Sequence, residues 1–115
     1  MREKVRDKAR LEHIIEAIDT VFEFTDCASL NDLCKNKMMF FAVVKNIEII
    51  GEAAYMLSLE FKEKHSEVEW QPIIAMRHFL VHGYYKVDAT EVFNVIKNDL
   101  QPLKEQIVAL KNEIE

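Results

Sequence analysis

Apolar residues recur along this chain at intervals of three and four and show no alternation, a pattern that predicts helices throughout. Leu11, Ile14, Ile15, Ile18, Val21 and Phe22 mark one face of a first helix over about residues 3–25. Residues 26–35 read as a connection, with Ser29, Asn31 and Asp32 available for turns or caps. A second helix is expected over about 36–63 and carries two apolar stripes. One is Phe40, Val43, Val44, Ile47, Ile50, Ala54, Leu57 and Phe61. The other is Met38, Phe41, Ile49, Ala53 and Met56. A helix apolar on two sides must be covered on two sides, and in a short chain a second subunit can supply one cover.

Residues 64–71 are polar apart from Val68 and Trp70, and the tryptophan is expected to dock on the bundle. Pro72 suits the first turn of a third helix, and Gly83 suits its end. Asp88-Ala89-Thr90-Glu91 has the form of a capping box, so a last helix is expected from about residue 88 or 89. Val92, Ile96, Leu100, Leu103, Ile107, Leu110 and Ile114 form its seam. Pro102 should kink or split it near 98–101. The fold expected is all-α, an up-and-down four-helix bundle in a single domain over 1–115.

Composition narrows the function classes. No run approaches the ~20 apolar residues of a membrane span, and the charged start Met1-Arg2-Glu3-Lys4-Val5-Arg6 has no apolar signal stretch. A cytoplasmic protein is expected. Cys27 and Cys34 lack metal-ligand spacing and read as buried or incidental thiols. The net charge of −5 counts against a general RNA-coating role, so any RNA contact must be local or gathered by an oligomer. The basic residues of the first helix (Arg2, Lys4, Arg6, Lys8, Arg10) alternate with acids and read as a solvated face.

The chemistry is concentrated in Arg77-His78-Phe79-Leu80-Val81-His82-Gly83-Tyr84-Tyr85. Arginine offers a permanent planar fork for phosphate, and histidine moves protons near neutral pH. RNA cleavage needs a base for the 2′-hydroxyl, an acid for the leaving 5′-oxygen and a cation for the charge on phosphorus. His82 is the candidate proton carrier and Arg77 the candidate clamp. Five positions separate them, about 140° on an ideal helix, and His82 can swing toward the arginine side if the helix ends or loosens at Gly83. One copy supplies one such set, and a symmetric dimer would supply both base and acid. Against this stands the plainer reading, in which helical histidines are surface or satisfied core residues. His13 and His65 are read so. A zinc site at His78 and His82 lacks the intervening acid of the zinc-protease helix. No metal and no cofactor is expected.

Arg77, four residues, then His82-Gly83-Tyr84 resembles the Arg-x4-His-x-Tyr motif of HepT-like proteins in the HEPN superfamily. Asn46-Ile47-Glu48-Ile49-Ile50-Gly51-Glu52-Ala53-Ala54 resembles that family's second-helix signature. Glu69-Trp70 through Met76-Arg77, Val87-Asp88 and Asp99-Leu100-Gln101-Pro102-Leu103 are similar to its other landmarks. The likeness extends over about residues 10–110 and implies a helical homodimer that acts as a metal-independent ribonuclease toxin. It further implies an antitoxin partner, a small nucleotidyltransferase of the MNT type, that silences the toxin by transferring AMP to the motif tyrosine, here Tyr84. On this likeness Arg77 and His82 are the catalytic pair. His78 stands where the family usually has a polar residue, often asparagine, and either assists proton transfer or keeps the pocket polar. Tyr85 is a second candidate for modification.

Gly51 in mid-helix suggests close helix–helix contact. Glu52 is a candidate to orient Arg77. RNA and the antitoxin are the expected partners, with no DNA and no membrane. Two alternatives remain: a non-catalytic module that binds a nucleotide or a partner, and a plain structural helical dimer.

Overall fold

The computed structural model describes residues 2–114 apart from 83–87, with the backbone alone for 78–82. α1 spans Arg2–Phe24 and buries Leu11, Ile14, Ile18 and Val21, as the three-and-four spacing requires. The chain leaves it through Cys27, whose φ of 61° is the left-handed conformation common after a helix end.

Residues 26–35 are more than a connection, because Leu30–Lys35 form a short helix, α2. Ser29 starts it with a reciprocal pair of bonds. The Asp32 amide donates to the Ser29 hydroxyl at 3.1 Å, and the Ser29 amide donates to the Asp32 carboxylate at 2.9 Å. These bonds hold the Asp32 carboxyl below its ordinary pKa, first through the Ser29 amide and then through its hydroxyl.

The second predicted helix is two. α3 spans Lys37–Met56 and α4 spans Leu59–Lys64. The break lies at Leu57–Ser58, where Ser58 caps α4 by accepting from the Phe61 amide. Ser58 is itself held from α1: its amide and hydroxyl donate to Asp7 at 2.8 and 2.7 Å. Asp7 is only 5% exposed, although the alternation along α1 placed its acids on a solvated face. A buried carboxylate needs hydrogen-bonded partners, and here they fix where the long helix stops.

α5 spans Trp70–His82, with Pro72 in its first turn. Trp70 is buried, and its Nε1 donates to the His65 carbonyl at 3.0 Å. α6, Ala89–Asn94, begins at Asp88, which accepts from the Thr90 amide at 2.8 Å. The helix then widens into a π-helical turn, Val95–Asp99, and continues as α7, Leu100–Ile114. The Leu100 N–H donates to the Val95 carbonyl, five residues back. This widened turn overlaps the start of the stretch 98–101 where an interruption was expected, and Pro102 itself lies within α7.

α3 packs on α1 and α5, α1 also packs on α7, and α2 lies against α3 and α6. The result is an all-α bundle of four long helical segments, with no strand among the described residues. Its centre holds Leu11, Ile14, Ile18, Val43, Ile47, Ala54 and Ile107. One stripe of α3 is left uncovered: Met38, Phe41, Ile49 and Met56 are exposed, whereas Ala53 of the same predicted stripe is buried. Cys27 and Cys34 are free and exposed, which favours incidental over buried thiols. No helix among the described residues is long and apolar enough to cross a membrane.

Candidate active site

The site grows from one close approach between α3 and α5. Gly51 faces Arg77 so tightly that a Cβ on residue 51 would sit 2.2 Å from the Arg77 Cβ and 3.1 Å from the Ile73 carbonyl oxygen. Only a residue without a side chain permits this contact, which explains a glycine in mid-helix despite its cost of about 1 kcal/mol against alanine. The consequence is positional. The Arg77 stem is pinned against the α3 backbone, and its guanidinium emerges beside the next residue of α3, Glu52.

Arg77 Nε lies 2.8 Å from Glu52 Oε2, with the two side chains 32% and 48% exposed. Nε is itself sealed from solvent and makes no aligned hydrogen bond, so the pair is an electrostatic contact rather than a directed bond. At this exposure such a pair stabilises the fold by only ~0.2–1 kcal/mol. Its significance is that it fixes where a solvent-reachable cation points.

α5 keeps helical backbone through His82, its last residue. The His82 Cα therefore stands about 7.5 Å further along the axis than that of Arg77. The side chains of His78 and His82 lie outside the described residues, as do Gly83, Tyr84 and Tyr85 altogether. The meeting of the Arg77 and His82 side chains thus falls there too. Of the other two histidines, His13 is exposed. His65 turns Nδ1 toward Glu67 at 3.5 Å and Glu113 at 3.8 Å, tying the loop before α5 to the end of α7.

Sequence reasoning did not identify a second feature of this surface. The break at Leu57–Ser58 turns α4 back along the end of α3, so that Lys62 Nζ donates to the Tyr55 carbonyl at 3.1 Å. The same ammonium sits 5.8 Å from the centre of the Tyr55 ring, which is itself exposed. Burial pushes the Lys62 pKa down, and the Asp7 carboxylate partly counters it. The signal for this pairing was the Ser58 cap, hidden inside a run of helix formers.

A groove of about 440 Å³ lies between α3, α5 and α7, floored by Ile47, Ile50, Ile73 and Leu103 and rimmed by Glu67, Glu69 and Asp99. Its apolar floor and acidic rim suit a phosphate chain poorly, and Gly51, Glu52 and Arg77 do not line it. Arg77 stands outside it, on the face that α5 shares with α3.

Comparison with known proteins agrees with the sequence motifs. The family described as "Ribonuclease HepT-like" matches residues 14–110. A Thermococcus cleftensis protein named "Probable ribonuclease HepT" is 36% identical over 104 residues, covering 90% of this chain and 94% of its own. A Methanocaldococcus jannaschii protein named as a putative RNase is 34% identical over 100 residues, covering 87% of this chain and 92% of its own. Another protein of that organism, named as a gamma-glutamylcyclotransferase and putative RNase, is 36% identical over 108 residues. This chain spans about half of that longer relative, 49% of its length. No solved structure matches the chain significantly.

Proposed function

Because the chain belongs to the HepT-like ribonuclease family, we propose that it is an RNA endonuclease whose chemistry is carried by Arg77 and His82. In this reading His82 takes the proton of a 2′-hydroxyl, which then attacks the adjacent phosphorus. Arg77 holds the phosphate and meets the charge that develops on its oxygens. The 5′-oxygen leaves with a proton from a second acid, for which the His82 of a second copy is the candidate. Base, acid and cation are all side chains, so the step is written without a metal.

The observation that supports this most directly is the seating of Arg77. Its Nε is closed off by Glu52 and the α3 backbone, while a third of the side chain stays open to solvent. A guanidinium held in this way presents its two terminal nitrogens to a phosphate with little rotational freedom left to lose. Glu52 is then a positioning residue, acting through Arg77. The exposed Met38, Phe41, Ile49 and Met56 stripe supports a homodimer through α3.

The wider setting proposed is a toxin–antitoxin pair in the cytoplasm. An MNT-type nucleotidyltransferase would silence the nuclease by placing AMP on Tyr84. A phosphate-bearing group on that residue, close in sequence to Arg77, would occupy the clamp meant for substrate. The rival reading, a module that binds nucleotide or partner without turnover, gives a different result in one assay. Purified wild type should cleave single-stranded RNA with EDTA present. Arg77→Ala and His82→Ala should each lose at least a hundredfold in rate while melting as wild type does. Undiminished cleavage by both folded variants would end the proposal.

A further inference from the structure

Resting on that reading, we propose that Tyr55, backed by Lys62, is a stacking platform for one base of the single-stranded RNA held at Arg77. Four observations converge on it. Tyr55 is 58% exposed near the C-terminal end of α3, where Ala53, Ala54 and Leu57 around it are buried. It follows Gly51 by four residues on α3, hence about 6 Å along the axis and within about 40° of the same face. Gly51 is the residue against which Arg77 is pinned. The ring is therefore the aromatic group one turn along α3 from the point where Arg77 is pinned.

Lys62 is the third observation. Its ammonium is tethered to the Tyr55 carbonyl at 3.1 Å and stands 5.8 Å from the ring centre. Aromatic faces beside a fixed cation are the elements from which sequence-tolerant single-strand sites are built: the face takes the base, and the cation takes the neighbouring phosphate. The fourth is charge. A chain of net charge −5 has no general field to hold RNA, so affinity has to come from placed cations. Lys62 is placed, with its position set by the Asp7–Ser58 clamp that turns α4 back.

The direction of the strand follows from the topology. Trp70, at the start of α5, packs against Phe61 of α4, which follows directly on the end of α3. The two long helices therefore run antiparallel. Tyr55 lies toward the start of α5 from Arg77, and the backbone of His82 lies toward its end. The proposed base site and His82 flank the clamp on opposite sides. Tyr55 is also turned about 100° from Met56 around α3. It stands to the α5 side of the line through Met38, Ile49 and Met56, and about 40° to the α5 side of Phe41.

The experiment uses two probes and the full chain. Steady-state cleavage of a mixed-sequence RNA oligonucleotide gives KM and kcat. Fluorescence anisotropy with the 2′-O-methyl form, which has no attacking hydroxyl, gives Kd without turnover. Tyr55→Ala is expected to raise KM and Kd about tenfold with kcat little changed, in line with the affinity of one stacked base. Tyr55→Phe, which keeps the ring, should recover most of that loss, whereas Tyr55→Leu should not. Lys62→Gln should weaken binding and flatten its salt dependence by about one charge. Equal Kd for wild type, Tyr55→Ala and Tyr55→Leu overturns the proposal, and so does failure of the wild type to bind the 2′-O-methyl probe. Binding that depends on Tyr55 without any cleavage would uphold the platform and defeat the nuclease reading, so the two fail separately.

Discussion

Gly51 and Arg77 are one unit, because the missing side chain of the first makes the room that the stem of the second fills. Alanine would raise the intrinsic helix propensity of α3 by about 1 kcal/mol, yet its methyl would need the space that the Arg77 Cβ fills. Overpacking of that kind costs about 1–3 kcal/mol. Gly51→Ala should therefore lower the urea midpoint in spite of the better propensity, and it should reduce RNA cleavage by displacing the clamp. A variant as stable as wild type would show that the helices separate freely at that point. Much of this was legible in the sequence. A glycine inside a helical run signals close contact, and the acid after it was the candidate partner for Arg77. The burial of Asp7 was not legible, since its reason lies 51 positions away at Ser58 and alternation along α1 carries no trace of it.

Among the elements, the capping chemistry decides which boundaries could be read. Asp88 announced α6, and Pro72 fell in the first turn of α5 as its chemistry allows. The split between α3 and α4 went unseen because apolar spacing continues across Leu57 and the stop signal comes from another helix. α2 went unseen because six residues are too few for periodicity to appear, although its cap residues were visible. That cap makes a pH prediction. The Asp32 carboxyl has a folded pKa below its unfolded value. It therefore stabilises α2 fully above the unfolded value and loses that effect as pH falls through the folded one. Amide protection factors in 30–35, taken against the intrinsic rate at each pH, should fall on acidification through that window. In Asp32→Asn the same protection factors should be lower at neutral pH and should not respond there.

At the scale of the whole molecule, the uncovered stripe on α3 has the strongest consequence. Met38 is 85% exposed, and Phe41, Ile49 and Met56 accompany it along a helix whose opposite side is the core of the bundle. Covering what remains exposed of these four side chains on each of two copies would favour association, against its entropic cost. Sedimentation should show a dimer for wild type and a monomer for Ile49→Glu combined with Met56→Glu, with the helical melt preserved. If the proposed second acid comes from the partner copy, that monomer should also be inactive while still binding the 2′-O-methyl probe.

The widened turn at Val95–Asp99 bears on how the chain tolerates change in length. Closing hydrogen bonds five residues back instead of four stores one surplus residue per turn. Removing the exposed Lys97 should let the backbone close as ordinary α-helix, with Val92 still facing inward before it and Ile107 and Leu110 still facing inward after it. A one-residue deletion, ruinous at most helical positions because it rotates everything downstream by about 100°, should here leave the thermal midpoint within a few degrees of wild type. The same cut placed between Leu103 and Ile107 should unfold the bundle.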